Sequence, residues 1–373
     1  MRRLVRAVRE RPGSSQTQLI EATGLAAGAV SALVNALVGA GVLAEEFERT
    51  GRGRPRRNLR LDDRFADLVG IQITRSGMRA RATTLAGRVL ADTRRLPTAP
   101  WTVGQAAPGL AEVAAEVTAG LRRPKASPTV VVSFPGVVET GGLSSSELDW
   151  LNEPRSTFLA DLRAAGFPRA TIRNDGELAT LAEWRGGAAQ GDDNAVVILL
   201  GRGLGGSAVV DGRLLRGHGS PLGFGHVPID PDGPLCACGQ HGCLEVFASL
   251  QSFATQLDDG SQLAAKPSAD YAAELERRAA AGDDGVLTVL TSAQQRLHQF
   301  GRLVAALFSP EVVILSGQAA ILAPYLLDGP VGTARVPFVR GGLDADAPLT
   351  GAVLAAQEDW IADPLAPVRQ EDI

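Results

Sequence analysis

The cysteines of this chain form one compact group. All three lie within eight residues, at Cys236, Cys238 and Cys243. An odd number of clustered thiols favours a metal site over a disulfide framework. Zinc takes four soft or borderline ligands in a tetrahedron, so a fourth ligand must come from elsewhere. His226, ten residues upstream of the first cysteine, is the predicted fourth ligand.

A second histidine offers an alternative fourth ligand. His241 is nearer in sequence, but a single glycine separates it from Cys243, and this short spacing crowds a tetrahedral loop. We therefore prefer His226. The remaining alternative is that the thiols bind no metal, but free cysteines have no reason to cluster around two glycines.

Glycine-rich turns follow three apolar stretches that predict buried strands. The stretches are 129–133, 195–200 and 312–315, and they run into Gly136, into Gly201 to Gly206, and into Gly317. A glycine loop at the end of a strand is where α/β folds bind phosphates. Such loops alone are weak evidence, because glycine also serves any tight turn.

Charge separates the first 64 residues from the rest of the chain. They hold twelve arginines against seven acidic residues, which gives a net charge of +5. Since the whole chain carries -4, the remaining residues carry -9. A basic head on an acidic body predicts a polyanionic partner for the head alone.

The secondary-structure elements predicted for this basic head are typical of a winged helix-turn-helix. Apolar residues at helical spacing predict three helices before residue 41, the second of them capped by Ser14 or Ser15. Residues 42–44 and 58–61 can pair as the strands of a wing. In this unit the third helix enters the major groove of DNA. A three-helix interaction module is the alternative.

Few side chains of the third helix can address base edges. Ser31 and Asn35 are the main candidates, whereas strong readout usually needs Arg, Asn or Gln in bidentate geometry. Between the wing strands, glycines let arginines approach a narrow minor groove or its phosphates. We therefore predict that phosphate contacts supply most of the affinity, through Arg52, Arg54, Arg56 and Arg57.

Beyond residue 64, strands alternate with helices, which predicts α/β layers. Residues 68–73 and 78–83 are expected to form the first hairpin. A chain of 373 residues exceeds one compact core, so two or three domains are expected. No apolar stretch approaches the ~20 residues of a membrane span, and no signal core follows the basic start, so we expect a cytoplasmic protein with no membrane partner.

Three further motifs occur together in this chain. They are Cys-x-Cys-Gly-x-x-Gly-Cys-x-Glu with its upstream Gly-His, the strand end Ile172-Arg173-Asn174-Asp175, and the Ala-Pro-Leu-Thr-Gly-Ala of 347–352. With these residues the chain resembles the ROK family of repressors and sugar kinases over essentially its whole length. Because it has a helix-turn-helix head, the chain is similar to the transcriptional-regulator branch of this family, which is typified by xylose and N-acetylglucosamine repressors.

The resemblance implies a specific architecture. It predicts an α/β protein with an N-terminal winged helix-turn-helix followed by a two-domain, actin-like (ribonuclease-H-like) core around a sugar cleft. The expected parts are the head at 1–64, a first subdomain at 65–183 completed by a C-terminal helix at 352–373, and a second subdomain at 184–351. The second subdomain is expected to carry a structural zinc and the interface of a homodimer or homotetramer that acts on operator DNA.

The resemblance also assigns residues of the cleft. Four residues match those that hydrogen-bond sugar hydroxyls in the family: Asn174, Asp175, His226 and Glu245. Asp175 also matches the kinase general base. At two positions this chain lacks a hydrogen-bond acceptor that the family uses for sugar hydroxyls. Gly223 stands at one of these positions and Glu177 at the other. A buried hydroxyl without its acceptor costs ~1–3 kcal/mol, so the ligand differs from a simple hexose or the cleft has decayed.

The phosphate loops of the kinases are degraded in this chain. The stretch that matches Asp-x-Gly-Gly-Thr is Gln72-Ile73-Thr74-Arg75-Ser76, and Arg202 replaces a threonine in the second loop. We therefore predict no productive ATP binding and no enzymatic activity. The expected protein is a repressor that responds to a sugar or sugar derivative. A regulator controlled by a partner protein, or by no ligand, is the alternative, and a sugar kinase is the remote one.

Overall fold

The structure, a computed structural model, describes most of the chain. The described residues are 1–48, 56–62, 67–96, 103–119, 128–139, 142–145, 147–148, 150–217 and 222–362. Arg52 and Arg54 of the predicted wing lie outside them, as do residues 363–373 of the predicted C-terminal helix. Arg56 is described by its backbone alone.

Three helices and a small antiparallel sheet form the N-terminal head. The helices are α1 (Arg2–Glu10), α2 (Gln16–Thr23) and α3 (Ala27–Gly39), and the strands β1 (Ser14–Ser15), β2 (Leu43–Glu48) and β3 (Arg56–Leu61) take the order β1-β3-β2. Ser15 caps α2 in a reciprocal capping box with Gln18. Gly24 ends α2 in the left-handed conformation that glycine favours. The predicted helix-turn-helix and its wing pair are confirmed, but β3 begins at Arg56, so Arg56 and Arg57 lie in the strand and not between the strands as predicted.

The head shares one apolar core with the domain that follows it. Leu4 of α1 and Val34 of α3 belong to the same buried cluster as Leu68 and Trp360 of the core domain. Among the described residues no single helix has the length and apolar character of a membrane span. In this described part of the chain, only α2 and α3 taken together meet these criteria, and they are bent by 116° at the turn between them.

A five-stranded sheet organises the first part of the core. Its elements are β4 (Asp67–Thr74), β5 (Gly77–Thr84), β6 (Val89–Arg95), α4 (Val103–Thr118), β7 (Thr129–Phe134), α5 (Arg155–Ala164) and β11 (Arg169–Asn174), with β8 (Val137–Val138), β9 (Leu143–Ser145) and β10 (Trp150–Glu153) in a small separate sheet. The strand order is β11-β7-β4-β5-β6. The predicted hairpin is present as β4 and β5, and β7 pairs with β4 in parallel.

A second five-stranded sheet organises the rest. The elements that follow β11 are α6 (Asp175–Gly186), β12 (Ala195–Leu200), β13 (Leu204–Val210), β14 (Arg213–Leu214), α7 (Leu250–Gln256), α8 (Gly260–Ala265), α9 (Ser268–Ala280), α10 (Asp284–Phe308), β15 (Val312–Ser316), α11 (Ala323–Leu326), β16 (Phe338–Arg340) and α12 (Ala347–Ala362), of which α12 packs on the first sheet. The strand order is β14-β13-β12-β15-β16. Apart from the antiparallel hairpin strands β13 and β14, the sheet is parallel.

The glycine loop after β12 is shorter than the sequence suggests. Gly205 and Gly206 lie within β13, where Gly206 pairs with Ile198, so that only Gly201 to Gly203 form the turn. A Cβ on Gly206 would lie 2.2 Å from the carbonyl oxygen of Val197. This glycine therefore permits close strand pairing and does not open a loop.

The helix α12 packs between the head, the first sheet and α6. It begins at Ala347, five residues earlier than predicted, and contacts β4, β7 and α6. A Cβ on Gly351 would lie 1.9 Å from the carbonyl oxygen of Leu178, so this glycine lets α12 approach α6 closely. The contacts with β4 and β7 agree with a first subdomain that the C-terminal helix completes, while the subdomain boundaries stay a prediction.

Candidate metal centre, ligand cleft and nucleic-acid interface

The four predicted zinc ligands meet in one cluster. His226, Cys236, Cys238 and Cys243 each offer one ligand atom, and these atoms all lie within 4.8 Å of one another. The Nδ1 atom of His226 is 3.6 Å from the Sγ atom of Cys236, and the Sγ atoms of Cys238 and Cys243 are 3.6 Å apart. A tetrahedron with Zn–S bonds of about 2.3 Å has S–S edges of about 3.8 Å. The donor types and their spacing therefore fit a zinc ion.

Two glycines shape the loop that carries the thiols. Gly239 and Gly242 both have positive φ angles, 89° and 62°. A Cβ on Gly242 would lie 1.5 Å from the carbonyl oxygen of Asp230, so no other residue fits there. The alternative ligand His241 lies outside the cluster, since its Nδ1 atom is 3.0 Å from the carbonyl oxygen of Gly233.

The thiols differ in their affinity for protons. Burial, together with hydrogen bonds to the neighbouring thiols, raises the pKa of Cys243 to about 12. The backbone hydrogen bond from Gln240 lowers the pKa of Cys238 below its usual range. A metal ion binds thiolates, so its binding must displace protons that burial otherwise retains.

A cavity of about 340 Å³ lies beside the metal cluster, between the carboxyl ends of the two sheets. Its walls include the turns at Gly136, Gly201 to Gly203, and Gly317. The four predicted cleft residues all line it: Asn174, Asp175, His226 and Glu245. Its volume is in the range of small-molecule sites, about 300–1,000 Å³. The structure thus brings the predicted residues together around one space.

Asn174 is held by the protein on both ends of its amide. Its Oδ1 atom accepts from the backbone amide of Glu177 at 2.9 Å and caps α6. Its Nδ2 atom donates to the carbonyl oxygen of Gly136 at 2.8 Å and to Oδ1 of Asp175 at 3.0 Å. Both amide protons are therefore engaged, and Asn174 fixes the orientation of Asp175.

His226 and Glu245 connect the metal loop to the cleft. The Nδ1 atom of His226 faces the thiol of Cys236, so the other ring nitrogen, Nε2, is left for the cavity that the residue lines. The Oε2 atom of Glu245 accepts from the backbone amide of Leu204 at 2.9 Å. A Cβ on Gly203 would lie 2.8 Å from that oxygen, so the glycine lets the carboxylate reach the β12–β13 turn.

Glu147 is a cleft residue that no motif in the sequence predicts. Its Oε1 atom accepts from the backbone amide of Arg75 at 3.0 Å, and Arg75 Nη1 donates to its carbonyl oxygen at 3.2 Å. Burial raises the pKa of Glu147, and the hydrogen bond from Arg75 and the charge of Arg202 offset part of this rise. The same burial, with repulsion from Glu147, raises the pKa of Asp175 to about 7.

We expect Asp175→Asn to stabilise the protein at high pH. The carboxyl titrates near 3.8 when unfolded and about 7 when folded, so its ionisation removes stability as pH rises between these values. At pH 8 the free energy of unfolding should rise by about 2 kcal/mol, and below pH 4 the rise should vanish. This value is about half of the free energy that corresponds to the whole pKa difference, because the side chain is partly exposed. Urea unfolding at several pH values measures it. Asp161→Asn, at an exposed position on α5, is the control, and an equal gain there contradicts the expectation.

The predicted base-reading residues lie on one face of the head. Asn35 of α3 is exposed and Ser31 is half-buried. Nη2 of Arg57 donates to Oδ1 of Asn35 at 3.3 Å, and Arg57 also pairs with Glu45. Arg57 is thus engaged by its own domain in this structure. The contacts of Arg52, Arg54 and Arg56 with DNA stay predictions.

Comparison with known proteins gives matches over both parts of the chain. The model of the ROK family matches residues 68–352, and that of a winged helix-turn-helix DNA-binding domain matches residues 1–44. The crystal structure of a ROK family transcriptional regulator, a homologue of the E. coli MLC protein, is similar with a TM-score of 0.80 and 24% identity, covering 99% of this chain and 98% of that one.

Two kinases are also similar to the core. The glucokinase of Thermotoga maritima is 30% identical over 275 residues, which cover 67% of this chain and 84% of that protein. A ROK family glucokinase from Streptomyces griseus, solved with glucose and AMPPNP, has a TM-score of 0.62 and 23% identity, covering 79% of this chain and 100% of that one. Relatives of the core thus include regulators and kinases.

Proposed function

This chain belongs to the ROK family, and from this premise we propose that it is a DNA-binding transcriptional repressor whose core responds to a sugar or sugar derivative. The observation that carries the proposal is the winged helix-turn-helix joined to that core through one shared apolar cluster. We infer a homodimer or homotetramer, because paired heads read paired half-sites of an operator. We also infer that this DNA-binding protein is cytoplasmic.

The phosphate turns support a core without kinase activity. Arg75 lies in the β4–β5 turn and Arg202 in the β12–β13 turn, where the family kinases carry loops for the nucleotide phosphates. The backbone amide of Arg75 is already committed to Glu147. Phosphoryl transfer depends on a preorganised cradle of such amides, and here an arginine side chain and a carboxylate replace it.

The zinc site contributes to this function through the shape of the cleft. His226, Cys236, Cys238 and Cys243 would hold the ion, which when bound supplies a rigid cross-link and no reaction chemistry. His226 and Glu245 then present fixed polar groups to the cavity. A ligand that binds one cleft conformation more tightly shifts the equilibrium between conformations of the oligomer that differ in the distance between their heads. The affinity for the operator changes with this distance.

Purified protein should retain a small set of promoter fragments from its own genome, and a sugar should change that retention. The measurement is selection of genomic fragments followed by electrophoretic mobility shifts, with and without a panel of sugars. Retention that no sugar alters would favour the alternative of a regulator controlled by a partner protein or by no ligand. Absence of any preferred fragment would remove the regulator proposal.

A sugar kinase is the second candidate, because burial and repulsion from Glu147 raise the pKa of Asp175 to about 7, near the value that suits a general base. We expect no ATP-dependent phosphorylation of glucose, N-acetylglucosamine, N-acetylmannosamine or xylose, since the phosphate cradle is lost. Coupled detection of ADP measures it. Asp175→Asn serves as the background, and turnover in the unaltered protein above that background would restore the kinase hypothesis.

A further inference from the structure

A second, larger cavity opens next to the cleft. Its volume is about 730 Å³, and Asn174, Gly206 and Leu222 border both spaces. Among the described residues, five arginines line it against two carboxylates: Arg155, Arg163, Arg169, Arg173 and Arg216, with Glu177 and Asp359. We call this space the arginine cavity. Its lining carries a clear excess of positive charge in a chain whose net charge is -4.

The strand β11 explains why the arginines converge. It is the edge strand of its sheet, and its side chains alternate between the two faces. Ala170 and Ile172 are buried in the core, so Arg169 and Arg173 share the opposite face with Thr171. The helix α5 adds an arginine near each of its ends, and the segment after β14 adds one from the other sheet.

The two carboxylates neutralise only part of this positive charge. Asp359 pairs with Arg173, and Oε1 of Glu177 lies 2.8 Å from Nε of Arg216. Within the described residues Arg155 and Arg163 form no ion pair, and Arg155 Nη1 reaches only the carbonyl oxygen of residue 139, at 3.5 Å. The buried Nε atom of Arg155 donates no hydrogen bond among these residues, and Nη1 of Arg173 has only the Oε1 atom of Glu177 nearby, at 3.8 Å. Such donors favour an acceptor that a ligand supplies.

We propose that the arginine cavity binds a small molecule that carries a phosphate group, as a second effector site beside the sugar cleft. Guanidinium groups present pairs of N–H donors that match the oxygens of a phosphate, and these charge-assisted bonds are stronger than neutral ones. The volume leaves room for an organic group beyond the phosphate. A dianion would neutralise most of the excess charge of the lining.

The helix α12 connects the arginine cavity to the head. Asp359 near its end holds Arg173 in the cavity, and Gln357, two residues earlier, accepts from Nη1 of Arg9 in α1 at 3.4 Å. A phosphate that binds Arg173 competes with Asp359 for the same guanidinium. This competition changes how α12 is held against β11, and the consequence for DNA binding rests on the proposed function.

The test measures phosphate binding to the full chain without DNA, by calorimetry at constant ionic strength. The probes are inorganic phosphate and glucose 6-phosphate. The double variant R155Q/R163Q should bind both at least ten-fold more weakly than the unaltered protein. R277Q/R302Q removes the same charge from exposed positions on α9 and α10, outside the cavity lining, and should bind both probes as the unaltered protein does.

The two probes separate two sources of the phosphate. Equal affinities would assign the site to the phosphate group itself, whereas tighter binding of glucose 6-phosphate would assign it to an ester. R163Q alone, at an exposed position, should give a smaller loss if the double variant does not fold. Equal weakening in the R277Q/R302Q protein, or no saturable binding to the unaltered protein, would overturn the proposal. Because no DNA is present, neither result bears on the regulator function.

Discussion

Replacing Cys238 with alanine should remove most of the bound zinc and lower the melting temperature by about 5 °C or more. The unfolded chain lacks a preformed site, so the free energy of zinc binding contributes to the free energy of folding. Loss of one thiolate from a four-ligand site leaves three donors around the ion. The zinc loop otherwise depends on the backbone hydrogen bonds of short turns around Gly239 and Gly242, and residues 237–241 are exposed.

Elemental analysis and calorimetry of the full chain measure this effect. The unaltered protein should hold about one zinc per chain, a chelator should lower its melting temperature to that of the Cys238→Ala protein, and that variant should respond little to the chelator. His241→Ala is the matched control, because His241 lies outside the cluster. Unaltered protein without metal, or a Cys238→Ala protein with unchanged zinc and stability, would contradict the zinc assignment.

Local chemistry explains which elements the sequence could predict. Ser15 and Gly24 delimit α2 through a capping box and a left-handed turn, and both signals lie within the helix's own neighbourhood. The zinc ligands were predictable for a similar reason, since three of the four occupy one short loop. Such signals do not depend on how distant strands pair.

Features that depend on distant contacts were missed. Gly206 was expected in a loop because glycine favours turns, but it pairs with Ile198 in a strand where no side chain fits. Glu147 follows no recognisable motif and enters the cleft only because the fold brings it to Arg75, 72 residues away in sequence. The arginine cavity likewise joins α5, β11 and the segment after β14, which the sequence does not relate to one another.

Removing Arg52 and Arg54 together should weaken DNA binding and make it less dependent on salt. If each arginine neutralises one phosphate, the log-log slope of affinity against salt should become shallower by about 1.8, since each phosphate contributes roughly -0.9. Arg57 is a weaker candidate for this role, because Glu45 and Asn35 already engage it. Fluorescence anisotropy of operator and scrambled duplexes over a salt series measures the slope, and R277Q/R302Q controls for lost positive charge.

Asn35→Ala should act differently from the loss of the wing arginines. A base contact discriminates between sequences and a phosphate contact does not, so this change should cost ~1–3 kcal/mol on the operator and little on scrambled DNA. The substitution also removes the side-chain acceptor that Asn35 offers to Arg57. Arg57 stays paired with Glu45 and gains no phosphate contact, so the salt slope should not become steeper. An unchanged slope in the protein without Arg52 and Arg54 would mean that the wing does not contact DNA. The affinity would then have to come from α3, where few side chains other than Ser31 and Asn35 can address the bases.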